Sequence, residues 1–438
     1  MPAHSNAFCD GVSRRNLIKA GIGGVLGLSY SDVLRLRAEA ADKPGVSRNT
    51  SVIFVELAGG PTQHETYDPK PLAPQEYRGP LDAISTVLPG VFFSQYMVEQ
   101  ARIADQLAVI RSIHHDSGSH GTSSHLTQTG YYLRDNQNRE NEMPCLGSIT
   151  TRVRGEGTTG LPGFVSIPSS MRFGRAAWLG KSYNAFETLS DSASQNFEVP
   201  NLTLIGGLTA DRLEDRRALL KSFDVTRRVV DNQGSTEAID QFTRKAFDMV
   251  TGEAARKAFH IAAEDQRTRE AYGLNSTGQN LLLARRLVEH GVAVVTVRVT
   301  GWDDHGQIAT AMSVKGPNYD RGIAALIRDL HARGLDRQTL VVCMGEFGRT
   351  PRVNANAGRD HWGQVMSVVL ACGGLRTGQI IGASDRTGAV PVERPYRPEN
   401  VLAVVYRHLG IDPRMSFTDN SGRPRYILER RELIAEVI

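Results

Sequence analysis

The chain has 438 residues, of which 40% are hydrophobic and 22% charged, and its formal net charge is +4. This length can bury a large core, and the composition is that of a soluble globular protein. A nearly balanced charge without a block of like charges argues against a nucleic-acid or membrane-surface partner.

The first residues have the pattern of an export signal. Arg14 and Arg15 precede a weakly apolar, glycine-rich run over residues 20–28. Residues 38–40 then form the small-x-small pattern that a signal peptidase accepts. Paired arginines are typical of the twin-arginine (Tat) pathway, and the apolar run is too short to span a bilayer comfortably. A short membrane-tethering helix or a chance arginine pair is the alternative.

We therefore predict a Tat signal over residues 1–40 and a mature domain over residues 48–438. The mature protein is then periplasmic or extracellular, with no stable membrane span once the signal is removed. The Tat pathway carries folded proteins, which is compatible with a preassembled metal site.

Five short apolar runs predict the strands of a sheet. Their near-continuous apolarity, rather than alternation, indicates strands that are covered on both faces, as in a mostly parallel sheet. The runs are Ser51–Leu57, Leu107–Ile113, 292–299, Thr339–Met344 and Met366–Cys372.

Two helical patterns accompany these strands. Ile323, Leu326 and Leu330 recur at helical spacing between two predicted strands, and Gly334 supplies a stop signal, so the segment predicts a βαβ unit. Residues 210–290 contain three further amphipathic patterns, which predict a helical insertion or cap on the sheet.

Seven of the twelve histidines fall in four polar loops next to the predicted strands. In an open α/β sheet, ligands gather at the carboxyl ends of the strands, so loops that are distant in sequence can converge on one site. Imidazole is a common ligand of zinc and other transition ions. The loops therefore predict a metal site.

The first loop, residues 59–71, follows the first strand. His64 and two nearby carboxylates are potential ligands, and Thr62 is the hydroxyl nearest to the glycine pair. A Gly-Pro turn with a solvated polar face is an equally good interpretation of this loop.

The second loop, residues 114–125, has four histidines within twelve residues, at positions 114, 115, 120 and 125. We interpret it as part of the metal site. A polar helix start with Ser and Thr caps is the alternative.

The third and fourth loops carry the remaining candidates. Asp303 and His305 lie two residues apart after a strand, where both can face one ion, although a turn with an Asp cap is the alternative. Glu346 and Arg349 follow the next strand, and His361 precedes the last one.

These loops resemble a known family. The combination of GGPTQHETYDPKP, GWDDHG, EFGRTP with Asn354, and GRDHW resembles domain of unknown function 1501. That family consists of bacterial proteins, often Tat-exported, assigned to the alkaline phosphatase/sulfatase superfamily. The resemblance runs from about residue 52 to residue 382 and on toward the C-terminus. It implies an alkaline phosphatase-like three-layer α/β core with a mostly parallel central sheet.

The resemblance also implies a ligand set, because the superfamily binds one or two metal ions among Asp and His. Asp303 and His305 resemble the ligands after a central strand, and Glu346 falls where an Asp is usual. Glu56 or the Gly59-Gly60 turn falls where a first-strand Asp is expected. The predicted ligands of a divalent ion such as Zn, Mn, Ca or Mg are His64, His120, Asp303, His305, Glu346 and His361.

The nucleophile departs from the superfamily pattern. Sulfatases place a Cys or Ser nine residues before a Thr-Gly pair, and counting back from Thr129 reaches His120. No cysteine lies in this loop, which disfavours a modified-cysteine sulfatase. Thr62 is the substitute candidate, and a metal-activated water is the alternative nucleophile.

Two functions follow from this pattern. The first is metal-dependent hydrolysis of a phosphate or sulfate ester, with Arg349 clamping the anion; a structural salt bridge is the competing role for Arg349. The second is a non-catalytic binding or assembly protein on the same fold that recognises a sulfated or phosphorylated glycan.

Overall fold

A computed structural model describes residues 50–156, 160–194, 197–199 and 252–438. The predicted export signal and the first two helical patterns of the predicted insertion lie outside these ranges. None of the helices within them is long and apolar enough to cross a membrane.

The described residues form both strands and α-helices. The strands are β1 (Ser51–Leu57), β2 (Ala83–Ser85), β3 (Phe92–Ser94), β4 (Leu107–Ile113), β5 (Phe164–Ile167), β6 (Phe186–Glu187), β7 (Val294–Val299), β8 (Thr339–Met344), β9 (Gly348–Arg349), β10 (His361–Trp362), β11 (Met366–Cys372), β12 (Gln379–Ile381), β13 (Ala383–Ser384), β14 (Pro391–Glu393), β15 (Ser416–Thr418) and β16 (Pro424–Tyr426). The α-helices in the described ranges are α1 (Gln75–Arg78), α2 (Val98–Ala101), α3 (His120–Thr129), α4 (Leu146–Arg154), α5 (Glu253–Phe259), α6 (Gln266–Tyr272), α7 (Ser276–Glu289), α8 (Ile308–Ala332) and α9 (Pro398–His408).

The predicted strands are present. Four of them begin and end at the predicted residues, and β7 begins two residues later than its apolar run. They form the centre of an eight-stranded sheet in the order β12-β4-β11-β8-β1-β7-β5-β6. Strand β11 is antiparallel to both of its neighbours, and the other adjacent pairs are parallel.

Helices cover both faces of this sheet. Alternate side chains of β1 point to opposite faces: Ile53 and Val55 join a buried cluster with α7 and α8, whereas Val52 and Phe54 join one with α4 and α9. Because both faces are buried, the strands read as continuous apolar runs. The structure confirms an α/β fold with a mostly parallel central sheet.

The predicted βαβ helix is α8, with Ile323, Leu326 and Leu330 fully buried. It connects β7 to β8, and β1 lies between these two strands in the sheet. The third helical pattern of the predicted insertion is α7, which packs on the sheet beside α8.

Candidate metal centre

The direction of β11 explains why the fourth loop reaches the same edge as the others. The loops after β1, β4, β7 and β8 leave the sheet at the carboxyl ends of strands that run the same way. Since β11 is antiparallel to these strands, the segment before it also lies at that edge. The sheet therefore brings GWDDHG and GRDHW together.

Three imidazole rings converge on one carboxylate. The Nε2 atom of His120 lies 3.2 Å from Asp303 Oδ2. The Nε2 atoms of His305 and His361 lie 3.0 Å and 3.1 Å from Asp303 Oδ1. These two Nε2 atoms are themselves only 3.0 Å apart. Of the six predicted ligands, His120, Asp303 and His361 form a group whose ligand atoms are close enough to hold one ion, and His305 lies against Asp303 and His361 beside it.

The second nitrogen of each ring is held by an acceptor. His120 Nδ1 bonds to Glu346 Oε1 at 2.7 Å, His305 Nδ1 to Asp360 Oδ1 at 2.8 Å, and His361 Nδ1 to the backbone oxygen of Gly118 at 2.9 Å. With a cation at the centre, each neutral ring would carry its hydrogen on Nδ1, where the carboxylate or carbonyl oxygen accepts it. The Nε2 lone pairs then face the centre, as in metal sites where an outer acceptor orients each histidine.

A cation fits this set of acceptors. His120, Asp303 and His361 each offer one ligand atom to a common centre. Ligands at about 2.0 Å from a tetrahedral zinc ion stand about 3.3 Å apart. The separations of His120 and His361 from the Asp303 carboxylate, 3.2 Å and 3.1 Å, are close to that value. The donor set therefore fits a divalent metal ion.

Charges within the cluster are tightly balanced. Burial raises the pKa of Asp303, but the hydrogen bond and the positive charge of Arg349 outweigh it and hold that pKa well below its usual range. The hydrogen bond to Glu346 raises the pKa of His120 against the effect of burial. Burial, reinforced by the charges of His120 and Arg349, lowers the pKa of His361.

One side of the cluster is open. The side chains of Asp303 and His305 are 45% and 46% exposed, whereas those of His120 and His361 are 23% and 25% exposed. The inner side is closed by Phe347, whose ring centroid lies 5.0 Å from that of His120 and 4.6 Å from that of His361. A water molecule or a substrate oxygen can reach the centre from the open side.

Glu346, predicted as a metal ligand, lies behind His120. Its two oxygens accept the N–H of Gly59 at 3.0 Å each, and one of them also accepts from His120. This carboxylate therefore orients the ring. Its neighbour Glu56, from the position where a first-strand ligand was expected, is also buried. Burial and then the charge of Glu346 raise the pKa of Glu56 to about 8.

Arg349 differs from its prediction as an anion clamp. Its side chain is fully buried, and its N–H groups already have partners. They donate to the backbone oxygens of Gly59, Gly60 (2.9 Å), Trp302 (3.2 Å) and Arg359 (3.0 Å) and to Asp303 Oδ1 (2.5 Å). A guanidinium with its donors occupied in this way cannot also bind a substrate anion.

Thr62 and His64 also differ from their predictions. Thr62 is buried and donates its hydroxyl to Glu65 Oε2 at 2.5 Å. His64 is buried as well, and its Nε2 bonds to the backbone oxygen of Thr387 at 2.9 Å. Neither of them contacts the cluster. Glu65 is ion-paired at 2.8 Å with the fully buried Arg359. This loop is therefore held in place by buried contacts with distant segments of the protein.

Of the four histidines in the second loop, only His120 joins the centre. His115 bonds through Nε2 to the backbone oxygen of Glu346 at 2.7 Å, and His125 bonds through Nδ1 to that of Tyr131 at 2.6 Å. The ring of His115 bonds to backbone groups, and that of His125 bonds to backbone groups and to the Thr129 hydroxyl.

Sequence reasoning missed Asp360 as a functional residue. It holds His305, and Asn354 in turn donates to Asp360 Oδ1 at 3.2 Å and to the His305 backbone oxygen at 3.1 Å. A carboxylate beside a predicted ligand, in GRDHW, was the available signal.

Comparison with family models matches residues 49–438 to the family described as "Protein of unknown function (DUF1501)". A search among curated proteins found no match to this chain.

Several solved structures are similar to the chain. Ps i-CgsB in complex with k-i-k-neocarrahexaose has a TM-score of 0.41 and 12% identity, covering 83% of this chain and 72% of that one. PsFucS1 sulfatase from Pseudoalteromonas sp. has a TM-score of 0.36 and 12% identity, covering 91% and 72%. BT1596, a 2-O GAG sulfatase, has a TM-score of 0.36 and 10% identity, covering 83% and 71%. At these values none of the likenesses assigns an activity to this chain.

Proposed function

The chain belongs to the DUF1501 family, and we propose that it is a metal-dependent hydrolase of a phosphate or sulfate ester. The observation that carries the proposal is the convergence of three imidazole Nε2 atoms on the Asp303 carboxylate. With its nitrogen-rich donor set, the centre favours zinc over manganese, calcium or magnesium.

An ion held by these residues would supply Lewis-acid chemistry, polarising an ester oxygen and lowering the pKa of a bound water, which is what hydrolysis without a side-chain nucleophile requires. The protein's own part is to hold the ligands. Glu346, Asp360 and the Gly118 carbonyl fix the orientation of the three rings. Half-exposed Asp303 and His305 leave the open side to substrate and water.

The start of α3 supports an anionic substrate. This helix begins at His120, whose ring belongs to the cluster. The first N–H groups of a helix lack partners within the helix and favour an anion. An ester whose reacting oxygen lies at the cluster would place part of its negative charge near these groups.

Elemental analysis and turnover together test the proposal. The purified mature protein should contain a stoichiometric transition ion and release phosphate or sulfate from one member of an ester panel. His305→Ala should abolish release, while Arg333→Met, in an ion-pair network with Glu264, Glu289 and Asp329 at the C-terminal ends of α7 and α8, should retain it. A wild-type protein that neither binds an ion nor responds to a chelator would overturn the proposal.

A second candidate is a binding protein for a sulfated or phosphorylated glycan. It is favoured by the burial of Thr62 and Arg349, because neither predicted catalytic side chain can meet a substrate. This candidate predicts glycan binding without turnover, and ester release that is lost in His305→Ala would rule it out. Tat export to the periplasm or the exterior is part of both proposals.

A further inference from the structure

We propose that Arg349 is a positioning residue for the metal centre, which holds Asp303 in place and ties three loops together. This inference rests on the proposed function only in that Asp303 is taken as a ligand. The contact between Arg349 and Asp303 can be tested without any metal.

The loops that Arg349 joins are far apart in sequence. Its guanidinium donates to Gly59 and Gly60 after β1, to Trp302 and Asp303 after β7, and to Arg359 before β10. A single planar group with five fixed N–H directions can satisfy acceptors from several segments at once, which the compact ammonium of lysine cannot do.

The glycine pair lets the first loop come this close. Gly59 and Gly60 have φ values of +120° and +86°, a region that other residues rarely adopt. A Cβ on Gly59 would lie within 2.7 Å of backbone atoms of Trp302 and Asp303. The backbones of the loops after β1 and β7 are therefore in contact, and Arg349 donates hydrogen bonds to both loops.

Asp303 needs such a partner. Its side chain is 45% exposed, yet its Oδ1 has to stay in place beside His305 and His361, and its Oδ2 beside His120. The bond from Arg349 to Oδ1 is the contact that comes from a fully buried group. Outer-shell partners of this kind typically contribute about 10–100-fold to metal affinity or activity.

Simple electrostatics predicts that metal affinity changes in the opposite direction when Arg349 is removed. The charge of Arg349 repels a cation at the centre, so a spectator arginine would raise metal affinity when it is removed. A positioning residue lowers the affinity when it is removed, since the ligand loses its fixed orientation. The two roles are therefore separated by the direction of one measured change.

The experiment measures metal affinity by competition with a chelator in the mature protein. Arg349→Met and Arg349→Lys should both weaken binding of zinc about 10–100-fold, because neither keeps the five donors. Tighter binding in Arg349→Met with unchanged binding in Arg349→Lys would overturn the inference. If Arg349→Met does not fold, the result for Arg349→Lys decides.

Arg285→Met is the matched control. Arg285 is equally buried and is ion-paired with Glu264, Glu289 and Asp329, on and beside α7 and α8. Its loss should lower stability and leave metal affinity unchanged. If it weakened zinc binding as strongly, the effect of Arg349 would be general destabilisation and the inference would fail.

A double-mutant cycle separates this inference from the proposed function. If the wild-type protein binds no ion, the proposed function fails. The coupling between Arg349→Met and Asp303→Asn in the free energy of unfolding then tests the contact alone. Non-additivity supports the positioning contact, and additive effects of the two substitutions would overturn it.

Discussion

The first loop and the third loop contain similar residues but do different work. In the first, Thr62, His64 and Glu65 are buried and bonded to protein partners. In the third, Asp303 and His305 are half exposed, and their oxygen and nitrogen atoms lie 3.0–3.2 Å from the nitrogen atoms of other histidine rings. The difference teaches that residue type and spacing do not identify a ligand. What matters is where the fold places the side chain: His64 is buried against the Thr387 carbonyl, whereas Asp303 and His305 lie at an open surface beside other histidines.

The largest effect should come from removing a ring of the centre. His361→Ala deletes one of the Nε2 atoms that face Asp303, so we expect loss of the bound ion and of ester hydrolysis. Elemental analysis and product release measure both. A variant that kept a full complement of metal would show that the ring is not a ligand, and would remove the contrast between the two loops.

A substitution in the first loop should instead lower the stability of the protein. Glu65→Gln leaves the buried Arg359 without its ionised partner, and breaking a buried pair in this way costs about 3–5 kcal/mol. Urea unfolding measures the change. Glu99→Gln, at a partly exposed pair with Arg328, is the matched control and should cost less than about 1 kcal/mol. Equal losses of stability in the two variants would show that the buried Glu65–Arg359 pair does not hold the first loop in place.

Glu56 should make stability depend on pH. Its pKa is raised to about 8 in the folded protein, whereas the unfolded chain loses this proton near its ordinary value. The folded state therefore binds the extra proton, and its stabilising effect is complete below about 4.5 and lost as the pH rises toward 8. Glu56→Gln should flatten this dependence in metal-free protein, measured by unfolding at pH 5 and 8. If the pH dependence of stability were unchanged in Glu56→Gln, a group other than Glu56 would bind this proton.

The smallest effect should come from His64. His64→Ala leaves the Thr387 carbonyl without its donor, which costs about 1–3 kcal/mol. Zinc affinity should stay at the wild-type value, in contrast to His361→Ala. Chelator competition and urea unfolding on the same preparation measure both quantities, and a drop in zinc affinity would return His64 to the list of ligands.

Much of the fold was readable from the sequence. The strands of the sheet could be placed because parallel strands buried on two faces must be apolar throughout, and four of them have the predicted bounds. The helix α8 was predicted because Ile323, Leu326 and Leu330 repeat at helical spacing. The family was recognised from local motifs, which the match over residues 49–438 confirms.

By itself, then, the sequence determined the strands, the α8 helix and the loops in which ligands are found. Tertiary structure alone decided which polar side chains meet. The antiparallel direction of β11 brings GRDHW to GWDDHG, whereas Arg349, His64 and Thr62 are buried and bonded to other protein groups. The physical reason is that strand propensity is a local property of the chain, whereas the partner of a lone pair is set by contacts between segments hundreds of residues apart.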